Sequence, residues 1–213
     1  FHDAFITEFS FEGTRVMGIT FENCNIMSAK FTGTENIASL TFTSCRFDNL
    51  NSITSFRNAV DISFTYCEIG SLNGIEKMDT VTHLYISDVG IDNIAPISGM
   101  DSLSLLSMTY TCVSDLTPLE NTNIAYLDIS NSMNITNLDS LMKIENLESF
   151  YSTNCEMAYT EKLYNYLNNN SIEHDIEYEE LKSRERVKDI ADEIIDENMT
   201  EKEKSDAIIQ YVV

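Results

Sequence analysis

Apolar residues recur along this chain in a short pattern nested inside a long one. From Val81 the apolar positions are Val81, Leu84, Ile86, Ile91, Ile94 and Ile97. A shift of 22 residues gives Leu103, Leu106, Met108, Val113, Leu116 and Leu119, so every apolar position lands on another. The only two prolines, Pro96 and Pro118, keep the same spacing. A repeat of this length is the mark of a solenoid, in which each unit buries its apolar stripe against its neighbours because it cannot bury it alone.

The ladder extends both ways. Units begin at Val16, Ile37, Ala59, Val81, Leu103, Ile124 and Leu147, with spacings of 21, 22, 22, 22, 21 and 23 residues. Each follows L-x-x-L-x-L-x-x-N/C-x-L, whose L-x-L core predicts a short strand. Val16, Ile19, Phe21, Cys24 and Ile26 make the first complete set. Parallel strands ~4.8 Å apart would give the seven units a sheet roughly 30 Å long. Units this short leave too little chain for a full helix on the opposite side.

These motifs resemble the leucine-rich repeats of bacterial surface proteins, in particular the 22-residue internalin-like class. Asp92-Asn93-Ile94-Ala95-Pro96-Ile97 and Ser114-Asp115-Leu116-Thr117-Pro118-Leu119 are similar to that family's D-I-x-P-L ending, which turns through a 3-10-like segment. The resemblance covers residues 16 to about 168. It departs from the family in its many Phe, Met and Ile residues and in one extra residue near Met133–Asn134. It implies an α/β repeat solenoid with a parallel β-sheet on the concave face, short 3-10 or irregular convex segments and C-terminal α-helices. It also implies a secreted or cell-surface protein of a Gram-positive bacterium that binds protein or glycan.

The pattern divides the chain into three. Residues 1–15 read as a partial unit or cap, with Phe5 and Phe11 at the phases of Ile91 and Ile97. Residues 16–178 form the solenoid. Its last unit ends in a short helix from Thr160, stopped by Asn168–Asn170, and a closing strand over Ser171–Tyr178 with Ile172, His174 and Ile176 on one face. Residues 179–213 are helical. Val187, Ile190, Ala191, Ile194 and Ile195 form one apolar stripe, and Ala207, Ile208, Tyr211 and Val212 another. Between them Thr200-x-x-Glu203 reads as a capping box. This tail looks like the opening of a bacterial transglutaminase-like domain, through Met199, Thr200, Glu203, Lys204, Ile208, Tyr211 and Val212. That resemblance implies a downstream domain carrying Cys, His and Asp, none of which can be assigned in this chain.

Charge narrows the partners. With 35 acidic and 13 basic residues the net charge is −22, which repels phosphates and argues against nucleic acid and anionic membrane. No apolar run approaches the ~20 residues that span a bilayer, so no direct membrane insertion is expected. The opening FHDAFITEFSFEG lacks a basic region followed by an apolar core and does not read as a signal peptide. The five cysteines form no CxxC pair, and no calcium loop is present, so neither a metal nor another cofactor is expected. Cys24, Cys45, Cys67 and Cys155 share the ninth position of their units and are expected as buried thiols bonding turn backbone. Cys112 falls one place beyond. Cysteine has no histidine in phase, which leaves nucleophilic catalysis without support.

Candidate functional residues lie between the ladder positions. Tyr66, Tyr85, Tyr110, Tyr126 and Tyr151 come from nearby columns of the units. With His83, Ser107 and Asp128 they are predicted to line the concave face. Tyrosine combines contact area with a hydroxyl at low entropic cost, and contact sites are enriched in it. A solvated sheet rich in Ser and Thr is the plainer alternative. His83, near Asp61 and Asp128, reads as a surface residue before it reads as a base. The sequence therefore predicts a non-catalytic protein- or glycan-binding module. Two alternatives are an accessory region of a larger transglutaminase-like Cys-His-Asp enzyme and a structural spacer.

Overall fold

A computed structural model describes residues 1–135, 138–155 and 160–177, and within the remainder Arg186, Asp189, Ile195, Met199, Thr200 and 202–204. The chain divides into two compact units, Phe1–Asp175 and Ile176–Val213.

Among the described residues of the first unit twelve strands run in chain order: β1 (Glu8–Ser10), β2 (Gly18–Glu22), β3 (Lys30–Thr32), β4 (Ser39–Thr43), β5 (Arg46–Phe47), β6 (Asp61–Thr65), β7 (Glu68–Ile69), β8 (His83–Ser87), β9 (Leu105–Thr109), β10 (Tyr126–Asp128), β11 (Ser149–Tyr151) and β12 (Glu173–His174). Eight form one parallel sheet in the order β12-β11-β10-β9-β8-β6-β4-β2. The pairs β1–β3 and β5–β7 form two small parallel sheets.

The register is the repeat made visible. Leu40 pairs with Ile62, Ile62 with Leu84, and Leu84 with Leu106, each one unit apart. Alternate residues of β4, β6, β8 and β9 are buried, so one face of the sheet is core and the other is open. Phe21, Phe42 and Phe64 are fully buried and stack at centroid distances of 5.1 and 5.2 Å. Opposite the sheet the chain passes through 3-10 turns at Leu50–Ile53, Ile75–Lys77, Ala95–Gly99, Thr117–Leu119 and Asp139–Lys143. Pro96 and Pro118 sit in the first turn of their segments, where proline's fixed φ and missing N–H cost nothing. Asn93 and Asp115, three residues before each proline, accept a backbone N–H from Ala95 and Thr117 at 2.9 and 2.8 Å.

The thiol ladder forms as expected. Cys24, Cys45, Cys67 and Cys155 are buried and free of disulfides. Each donates to a backbone carbonyl: Cys45 to Phe21 at 3.4 Å, Cys67 to Phe42 at 3.4 Å and Cys155 to Ile129 at 3.1 Å. Ser132 takes the same role towards Met108 at 3.0 Å. Cys112 is exposed, and Thr111 occupies the buried place beside it.

Three expectations need correction. Ile6, not Phe5, takes the inward place in the partial unit; Phe5 is 70% exposed. The bridge from Phe5 to Asn25 puts Ile6 beside Ile26, one residue later than the phase count. Val16 is 43% exposed, unlike the first residue of every later unit, because β2 is the last strand of its sheet. The closing strand is only Glu173–His174, parallel to β11, although Ile172 and Ile176 are buried as expected. Before it comes α1 (Glu161–Asn169), which buries Leu163 and Leu167 and is capped by Thr160, whose hydroxyl accepts from Leu163 N at 3.2 Å.

In the second unit Thr200 and Glu203 make the capping box. Thr200 N donates to Glu203 Oε2 at 2.8 Å, and Glu203 N donates back to Thr200 Oγ1 at 3.3 Å. The remainder of both apolar stripes, apart from Ile195, lies outside the described residues.

Candidate functional site

The open face of the sheet is built from columns, one residue per strand. One runs Ser39, Asp61, His83, Leu105, Tyr126, Ser149 and Glu173. The next runs Thr20, Thr41, Ser63, Tyr85, Ser107, Asp128 and Tyr151. A third contains Glu22, Thr43, Thr65, Ser87 and Thr109. Parallel pairing without slippage keeps each column straight, because a one-residue slip would turn it into the core.

The structure brings His83, Tyr85, Ser107, Tyr126, Asp128 and Tyr151 together on this face. Tyr126 and Tyr151 pack with ring centroids 5.4 Å apart. The nearby Glu173 carboxylate, with a smaller contribution from burial, pushes the Tyr151 pKa up to about 12. Burial is also the main cause that raises Tyr126, followed by the charge of Asp128. Asp128 accepts the backbone N–H of Ser130 at 2.9 Å. His83 Nδ1 lies 2.5 Å from Asp61 Oδ1, so the imidazole is tied to a neighbouring column member. None of the three columns contains lysine or arginine.

Tyr66 and Tyr110 stand elsewhere. Each is the residue just after its strand, with φ of 55° and 54°, at the margin of the sheet and not on its face. They are 62% and 58% exposed. The eighth position of every complete unit has this left-handed backbone: Asn23, Ser44, Tyr66, Asp88, Tyr110, Asn131 and Asn154. That turn lets the residue's N–H reach the neighbouring strand, as in Tyr66 N to Ser87 O at 3.0 Å.

Three contributors were not singled out from the sequence. Leu105 lies between His83 and Tyr126 in their column and gives it apolar area. Its place before Leu106 in the L-x-L core would have marked it as outward. Glu173 raises the pKa of Tyr151. Asp175 caps the end of the sheet: both of its oxygens accept Ser152 N at 3.0 Å, and Thr153 Oγ1 donates to it at 2.6 Å. Among the described residues no three His, Cys, Asp or Glu side chains group to hold a metal ion. No helix among them is long and apolar enough to cross a membrane.

The eight-stranded parallel sheet, its 21–23-residue register and the 3-10 turns opposite can be compared with solved structures. Internalin C2 of Listeria monocytogenes superimposes with a TM-score of 0.60 at 20% identity, over 76% of this chain and 73% of that one. The fold is a leucine-rich repeat solenoid. A leucine-rich repeat protein of Leptospira interrogans is more distant, with a TM-score of 0.48 and 14% identity over 71% of this chain and 48% of that one. Another Listeria monocytogenes internalin, internalin F, gives 0.43 and 13% over 67% and 55%. No family model matches the sequence, and no curated protein does. For this solenoid, likeness at 20% identity fixes the architecture and leaves the ligand to the residues of the open face.

Proposed function

We propose that this solenoid is a non-catalytic binding module of a secreted or cell-surface bacterial protein, and that it takes a protein ligand on its open sheet face. The observation that carries this reading is the cluster of Tyr85, Tyr126, Tyr151 and Leu105, with Ser107 and Asp128 between them. Large aromatic side chains on a rigid, solvent-facing sheet supply contact area without an ordering cost on binding. Outward strand positions that only meet solvent suit small polar residues, as at Thr20, Thr41, Thr43, Ser63 and Thr65 of β2, β4 and β6. A broad, eight-stranded face suits a folded protein surface better than a small molecule, which needs an enclosing pocket.

A photo-crosslinking side chain at Ser107 tests the reading. Incubated with surface proteins of candidate host or neighbouring cells, it should capture a partner that the same group at Asn58, beyond the sheet, does not. Capture should fail in a Tyr85→Ala/Tyr126→Ala variant. Equal capture from both positions would sink the reading, and capture of a glycan would replace the ligand class.

A second reading adds to the first. The reciprocal Thr200–Glu203 cap is the described part of the turn that resembles a transglutaminase-like domain. In that reading the solenoid positions a Cys-His-Asp domain encoded after Val213. Sequencing the gene through that point decides it, and an extension lacking those three residues would remove it.

A further inference from the structure

Tyr66, Asp88 and Tyr110 occupy the same position in three successive units, and their φ values of 55°, 53° and 54° agree closely. Identical backbone geometry on successive rungs directs their Cα–Cβ bonds in parallel. The left-handed conformation is imposed by the fold, since it carries each N–H to the next strand: Tyr66 to Ser87 at 3.0 Å, Asp88 to Thr109 at 3.0 Å and Tyr110 to Ser130 at 3.2 Å. Asparagine tolerates this conformation best among residues with side chains, and Asn23, Asn131 and Asn154 fill it in other units. A bulky aromatic is a costly occupant. Neither tyrosine recovers that cost by packing, because more than half of each is exposed.

From this geometry we infer that Tyr66, Asp88 and Tyr110 form a clamp for one arginine or lysine side chain of the protein ligand. The inference rests on the proposed binding role of the adjacent sheet face. Two rungs of a parallel stack separate the tyrosine Cα atoms by about 10 Å. With both side chains extended in parallel at that spacing, a cation midway would lie about 5 Å from each ring, within the ~6 Å over which a ring face attracts it. Asp88 stands between them and is exposed. Asp61 and Asp128 are held by His83 and Ser130, whereas the Asp88 carboxylate has no such bond among the described residues. The surroundings favour a cation too: the three outward columns lack lysine and arginine, and the nearby Arg46 is paired with Glu68 at 2.6 Å. The chain's charge of −22 points the same way.

The test is a titration of the full chain, labelled for backbone-amide NMR, with N-acetylarginine amide and with N-acetylglutamate amide at physiological salt. Arginine should give saturable shifts at Tyr66, Asp88 and Tyr110, and glutamate none. A Tyr66→Asn/Tyr110→Asn variant keeps the net charge, so it separates the clamp from general attraction. It should lose about tenfold in affinity and unfold at or above the parent's temperature. Tyr66→Phe/Tyr110→Phe should retain binding. The proposal is overturned if the Asn variant titrates like the parent, if it melts below it, or if the shifts spread without saturating. A saturable response confined to Tyr85, Tyr126 and Asp128 overturns the clamp and leaves the sheet-face reading standing.

Discussion

Phe21, Phe42 and Phe64 fill the core behind β2, β4 and β6, while Ile86, Met108 and Ile129 take the same position in the next units. On the open face the order is reversed. Thr20, Thr41 and Ser63 precede Tyr85, Ser107, Asp128 and Tyr151 in one column. At these two positions the rings lie inside on β2, β4 and β6 and outside on β8 and β11, although Phe150 of β11 is a buried ring one position earlier. The backbone is indifferent to this, since the register passes from β6 to β8 without a break. Inward positions require apolar volume, which either kind of side chain supplies. Outward positions require nothing of the kind, so the tyrosines there are not explained by folding.

The sharpest way to break this comparison is in the core. Phe42→Ala removes a buried ring stacked on two others and should cost about 3–5 kcal/mol in urea unfolding. Leu106→Ala in the aliphatic half should cost about 2–5 kcal/mol. If Phe42→Ala were much the milder of the two, the stacked rings would be filler and the halves would not differ in what holds them. On the face, Tyr85→Ala/Tyr126→Ala should cut affinity for a captured partner by 2 kcal/mol or more, about thirtyfold. Thr20→Ala/Thr41→Ala should leave it unchanged, and neither pair should alter stability by more than about 1 kcal/mol. Equal losses from both pairs would erase the distinction between the halves. Asp175→Ala removes the acceptor for Ser152 N at the end of the sheet and should destabilise by about 1–3 kcal/mol in the same unfolding assay.

The smallest effect concerns Tyr151. Its pKa is raised from 10.0 to about 12, so its protonated form is favoured in the folded chain. The stabilisation is complete below pH 10 and is lost as pH rises through 12. Ultraviolet titration should show a tyrosine ionising near 12 that moves back towards 10 in Glu173→Gln. An unmoved transition would remove Glu173 as the cause.

The solenoid was legible in the sequence because its core repeats a pattern that a single slip would destroy. Val81 to Leu119 alone carries two copies. The thiol ladder was legible for the same reason, since Cys24, Cys45 and Cys67 share a phase. Tyr66 and Tyr110 were misplaced because the left-handed turn is ordinarily signalled by Asn, Asp or Gly. Here the signal was present only in the column as a whole, in Asn23, Asp88, Asn131 and Asn154. The phase count points to Phe5 instead of Ile6 because the partial unit has no complete strand to fix its register. Asp175 was invisible because its role, supplying a carboxylate where another strand's carbonyl would stand, depends on where the sheet stops.

The unbroken register from β2 to β9 has a consequence for how such a chain can vary over generations. A unit excised whole, such as Val81 to Ser102, leaves neighbours whose strands still match residue for residue. Duplication of a unit is tolerated on the same grounds. Either event shifts the later part of the face by one rung, ~4.8 Å; excision of that unit brings Asp61 and Ser63 beside Leu105 and Ser107, while inward positions still meet apolar partners. Recombination within the gene can therefore retune the spacing of the face in fixed steps while the strand register is kept.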